Sequence, residues 1–200
     1  AGAAFRAADE VDVLRLSDKL GVPVQRLPEP IGGLSVQLTD PSGNAVKVVA
    51  GMHELPAHPP QSPQVANTGR GGARINATVR PPRVPARVQR LGHLVLQSTT
   101  YRRTLDWYLD TLGMIVSDFL FFPGQRDRGP AMSFIRCDLG SVPADHHTLA
   151  LALGPADRYV HSAYEVCDLD ALAEARESLE ASETASQSSE PAETPVSTST

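Results

Sequence analysis

Three histidine positions interrupt or border apolar, strand-like runs, and they are where this sequence could do chemistry. His93 sits in Leu91-Gly92-His93-Leu94-Val95-Leu96. The pair His146-His147 stands in Asp145-His146-His147-Thr148-Leu149. His161 opens His161-Ser162-Ala163-Tyr164-Glu165-Val166. A neutral imidazole is a good ligand for iron, zinc or copper. A strand holds its side chains stiffly, which suits a site that must keep its geometry. Two histidines and one carboxylate on one face of an ion leave positions open for substrate and oxygen. Taken alone, a histidine in a strand is more often a hydrogen-bonded core or edge residue. The argument for a metal rests on the placement of these positions at strand starts in repeated modules.

The elements that must position them repeat. Ala3 to Ala8 reads as a strand, and Asp9 caps a helix in which Val13, Leu16 and Leu20 recur at helical spacing before Gly21. Val22 to Leu27, Leu34 to Leu38 and Ala45 to Ala50 follow as strands, the last two joined by the turn Asp40-Pro41-Ser42-Gly43-Asn44. From residue 88 the order returns. Leu91 to Leu96 is a strand, and Thr99 or Thr100 caps a helix with the stripe Leu105, Tyr108, Leu109 and Leu112. Three strands then run over Met114 to Phe122, Met132 to Cys137 and Thr148 to Leu153. A third unit begins with a strand from His161 to Cys167 and a helix capped by Asp168. The expected class is α+β, built of repeated βαβββ modules that form half-barrel sheets and left incomplete at the C-terminal end.

Between the modules, residues 52–87 are rich in Pro, Gly and Arg, and read as a solvated linker more readily than as an anion-binding arm. Residues 181–200 are half Ser or Thr and carry no basic or aromatic residue, so they are expected to be disordered. The net charge of −5 argues against a general nucleic-acid binder. Cys137 and Cys167 form no CxxC pair, which disfavours a cysteine zinc site and fits two free thiols in a reducing compartment. No run approaches the ~20 apolar residues of a membrane span, and no signal peptide is evident, so the expected location is the cytoplasm.

Particular stretches carry a family likeness: Leu91-Gly92-His93, Trp107-Tyr108 followed by Leu112-Gly113, Asp145-His146-His147-Thr148-Leu149-Ala150, and His161 four residues before Glu165-Val166. Through them residues 88–170 resemble the start of the catalytic domain of extradiol (catechol 2,3-type) dioxygenases, in the vicinal oxygen chelate superfamily that also contains the glyoxalases. Residues 1–51 resemble the closing module of the preceding non-catalytic domain, where a turn like Asp40 to Asn44 is common. The paired-histidine segment is the most specific of these motifs.

The resemblance implies that His93 and His161 ligate Fe(II), with Mn(II) the lesser option, and that His147 is the acid–base residue beside the bound oxygen. His146 matches a neighbour of no clear role, and strand alternation would put the two on opposite faces. A catechol-type substrate and O2 are the implied partners, with no nucleic acid or membrane. Open sheet edges leave room for a homo-oligomer. The family's third ligand is a glutamate on the last strand of the fourth module, which this sequence does not reach, so a truncated chain is expected and its own catalytic competence is left open. Glu165 is no substitute, because four strand residues place it roughly 13 Å from His161. A non-catalytic binding or dimerisation remnant and a glyoxalase-like isomerase or lyase are the alternatives.

Overall fold

The computed structural model describes residues 2–56, 59 and 85–188, with side chains of the last helix described to residue 182. Residues 60–84, the greater part of the expected linker, and residues 189–200 of the expected tail lie outside the described residues.

The first module consists of β1 (Gly2–Arg6), α1 (Glu10–Leu20), β2 (Val24–Arg26), β3 (Leu34–Thr39) and β4 (Ala45–Ala50). Asp9 caps α1 by accepting from the Asp12 N–H at 3.0 Å, and Gly21 ends it in the left-handed conformation that glycine adopts without a steric penalty. The strands hydrogen-bond in the order β1-β4-β3-β2, with β1 parallel to β4 and the rest antiparallel.

The second module repeats this plan with β5 (Arg90–Ser98), α2 (Tyr101–Leu112), β6 (Met114–Leu120), β7 (Met132–Cys137) and β8 (Leu149–Leu153). Its order is β6-β7-β8-β5, again with one parallel pair, β5 with β8. A further strand, β9 (Arg158–Glu165), adds beside β5 as the new edge. The fold class is α+β, with two copies of the βαβββ module. Thr100 occupies the N-cap position of α2 but its side chain makes no cap bond. The Thr100 N–H instead donates to Ser98 Oγ at 3.1 Å.

Two boundaries move functionally relevant residues. The last strand of the second module begins at Leu149, so His146 and His147 precede it. Strand β9 begins at Arg158, so His161 lies within it and not at its start.

Both modules lie in one compact unit, residues 1–57 and 91–163. Its core joins Val13, Val36, Val46 and Val48 of the first module to Leu96, Leu105, Tyr108, Ile135, Leu149 and Leu151 of the second. Each such side chain contributes roughly 1.5–3 kcal/mol by leaving water. The turn at Asp40 is tied into this core. Asp40, 3% exposed, accepts from the Ser42 and Asn44 N–H groups and from Asn44 Nδ2, and the buried Tyr108 hydroxyl donates to it at 3.1 Å across 68 residues of sequence. Burial, then the Asp40 charge, pushes the Tyr108 hydroxyl pKa well above its ordinary value.

The other unit, residues 58–90 and 164–200, contains α3 (Leu169–Ser188). Asp168 accepts from the Ala171 N–H at 2.8 Å, as expected of its cap. The helix runs eight residues past 180, into the segment expected to be disordered. Its composition there, Ala-Ser-Glu-Thr-Ala-Ser-Gln-Ser, holds no Pro or Gly to stop it. No helix among the described residues is long and apolar enough to cross a membrane.

Candidate metal centre

The second sheet has two faces, and strand alternation assigns them. On β5, Leu94 and Leu96 pack with the core, which sends His93, Val95 and Gln97 to the other face. Val95 pairs with Ala150 and Ala150 pairs with Phe134, so these three lie in one row across β5, β8 and β7. Ala150 and Ala152 keep this face low and leave room above it for larger rings. His147 enters from the segment that precedes β8. That segment is pinned on both sides, by the Thr148 N–H to the Ile135 carbonyl and by the Leu94 N–H to the Thr148 carbonyl, each at 3.0 Å. His161 comes from β9, beside β5.

These elements bring the three histidine positions together. His93 Nε2 and His161 Nε2 stand 3.3 Å apart. The His93 and His147 rings lie 4.4 Å apart between centroids, tilted by 37°. Phe134 meets His147 edge-on at 4.8 Å and reaches His146 at 5.6 Å. The Nδ1 atoms of His146 and His147 are 3.1 Å apart. The expected division of this pair onto opposite faces therefore fails, because both residues precede the strand whose pleat would have separated them. Phe134 was not identified from the sequence. Its signal is the alternation of Met132–Cys137, which sets it opposite the buried Ser133 and Ile135 and so on the histidine face.

The electrostatics favour the neutral form at His93 and His147. Burial lowers the His93 pKa, and the charge of His161 lowers it further. His147 is lowered by burial, then by His93 and His146, with Asp145 opposing. Neutral imidazoles present lone pairs, which is the form a metal needs.

These residues fit part of a metal site. Two nitrogens 3.3 Å apart can share one ion, since two metal–nitrogen bonds of about 2.1 Å span that gap. The described residues supply no group of three His, Cys, Asp or Glu side chains placed to hold an ion. Glu165 is engaged elsewhere, accepting from Arg90 Nε at 2.5 Å. A cavity of about 390 Å³ lined by Phe5, Leu16, Val48, Leu112, Met114 and Cys137 includes none of the histidines, which lie on the open face of the sheet.

Known proteins share this arrangement of elements. The structure superposes on the Mn(II)-bound glyoxalase of Novosphingobium aromaticivorans with a TM-score of 0.58 at 24% identity, over 90% of this chain and 50% of that one. It superposes on homoprotocatechuate 2,3-dioxygenase of Arthrobacter globiformis with a TM-score of 0.60 at 18% identity, over 93% and 51% of the two chains. This chain has the vicinal oxygen chelate fold. In sequence, it is 34% identical over 131 residues to metapyrocatechase 2 of Cupriavidus necator. That match takes in 66% of this chain and 37% of the relative, so the chain spans well under two thirds of the proteins it matches. No protein-family model matches it. In sequence the likeness runs to a metapyrocatechase, and in structure it takes in a glyoxalase and a 2,3-dioxygenase alike.

Proposed function

We propose that residues 88–180 are the start of a catalytic domain of an extradiol dioxygenase and that residues 1–51 close the non-catalytic domain before it. The observation that carries this reading is the 3.3 Å approach of His93 Nε2 to His161 Nε2 beside the ring of His147. His93 and His161 would hold Fe(II), or Mn(II), through those nitrogens. The ion, when bound, supplies a Lewis acid for a catecholic oxygen and a site for O2. His147, kept neutral by burial, is poised to accept a proton from a substrate hydroxyl and to return it during ring opening. Phe134 supplies an apolar wall that holds the His147 ring and accommodates an aromatic substrate. Cys137 and Cys167, both free, suit a reducing compartment such as the cytoplasm.

Oxygen consumption with catechol after anaerobic loading of Fe(II) tests this reading. Uptake that disappears in His147→Ala, with iron still bound, supports it. Iron binding with no uptake for any of several catechols contradicts it.

A second reading draws on the two-ligand set. With no third ligand among the described residues, the chain would serve as a binding or dimerisation module, joined through β9, whose edge exposes Tyr159 and Val160. A folded monomer in sedimentation at micromolar concentration would exclude it.

A further inference from the structure

Three arginines converge at the opposite end of the histidine-bearing sheet. Arg102 and Arg103 stand in the first turn of α2, and Arg128 stands on the short 3-10 turn Arg126–Arg128. Together with Thr99 and Thr100 they line one cavity of about 310 Å³. Strand β5 separates this cavity from the histidines. From His93 to Thr99, strand spacing of roughly 3.3 Å per residue makes the distance about 20 Å.

We propose that this cavity is a binding site for a small oxyanion of the phosphate or carboxylate type. Guanidinium groups match the paired oxygens of such anions, and none of the three has a carboxylate partner among the described residues. Arg128 Nη1 donates only to the neutral Gln125 Oε1, at 3.0 Å. Arg102 lies across Gly129, where a Cβ would meet its Nη2 at 2.7 Å, so the glycine leaves the space the guanidinium fills.

The helix beneath adds to the field. Its first turn holds no acidic residue, and its N-cap side chain makes no cap bond, with Thr100 Oγ1 turned to Ser98 Oγ and Thr104 Oγ1 instead, so the first turn's N–H groups receive no side-chain acceptor from the cap. The corner already stabilises one carboxylate: Asp157 accepts from the Thr99 N–H at 2.7 Å and from Thr99 Oγ1 at 3.0 Å. Asp157 faces Thr99 and does not line the cavity, which leaves the three arginines for an incoming anion. A volume of 310 Å³ is at the small end of ligand sites, which run roughly 300–1,000 Å³.

The test is calorimetric titration of the full chain with inorganic phosphate, and in parallel with malonate, at ionic strength held constant with chloride. The site predicts saturable binding of at least one of the two, and the one that binds more tightly names the chemistry. Replacing Arg103 and Arg128 together by Gln is expected to weaken binding at least tenfold. Arg103→Lys, which keeps the charge and loses the fork, is expected to weaken it severalfold with the fold intact. Arg15→Gln, at an exposed arginine of α1, is expected to leave it unchanged. No saturable heat with either anion, equal affinity in the double variant, or an equal loss in Arg15→Gln would overturn the proposal.

Discussion

The two modules share one plan and put their polar residues to different uses. Their registers superpose: Val46 pairs with Ala3 and Leu38, and Leu149 pairs with Leu94 and Ile135, with Val46 and Leu149 both fully buried. The helix N-caps, Asp9 and Thr100, lie the same distance along the chain from Gly2 and His93. In this alignment Gly2 stands where the second module has His93, Asn44 where it has His147, Gln37 where it has Phe134, and Asp40 where it has Cys137. The first module makes its β3–β4 connection as a tight turn and commits Asp40 and Asn44 to holding it. The second makes the β7–β8 connection with residues 138–148, and the end of that longer connection delivers two histidines to an open face. One backbone thus serves as a support or carries a candidate site, depending on what stands at its strand ends.

Asp40→Ala is expected to have the largest effect on stability. It strands the Ser42 and Asn44 N–H groups and the Tyr108 hydroxyl, and should lower the unfolding free energy by about 3 kcal/mol in urea titrations. A loss below that of an ordinary surface substitution would mean the turn does not organise the first module. Tyr108→Phe removes only the tie from α2 to Asp40 and should cost about 1.5 kcal/mol.

The two caps separate the modules further. Asp9→Ala should cost about 1 kcal/mol, because its side chain holds the Asp12 N–H. Thr100→Ala should cost less than half of that, because it makes no cap bond. Equal costs would erase this difference between α1 and α2.

Cys137, at the place of Asp40, should leave neutral-pH stability untouched. Burial raises its thiol pKa, so alkylation near about pH 8 should lag behind that of a small-molecule thiol and accelerate with alkali. The sign for folding follows: the unfolded chain ionises first, so the thiol's contribution is complete below its ordinary pKa and is lost as pH rises through the raised value. Alkylation as fast as a free thiol's would contradict this burial.

Much of the scaffold was legible because its signals are local. The stripes through Val13 and Leu16 and through Leu105 and Tyr108 report helices against a core, and Gly21 and Gly113 mark their ends. The alternation around Val36 and Leu38 reports a strand with one buried face. The histidine motifs marked candidate site residues, and the structure brings these together. Other features needed the tertiary arrangement. Phe134 joins the histidines only when β7, β8 and β5 are neighbours in that order, and the Asp40–Tyr108 bond links different modules. The shared side of His146 and His147 depended on a strand starting at Leu149, a boundary that composition does not mark.

The central claim is that His93 and His161 share one metal ion, and anaerobic titration with Fe(II) of the wild-type chain beside His93→Ala and His161→Ala tests it most directly. The account predicts one ion per chain, with affinity falling in each variant by more than the roughly 10–100-fold that a change outside the ligand set costs. Unchanged affinity in both variants, or no binding by the wild-type chain, would contradict it.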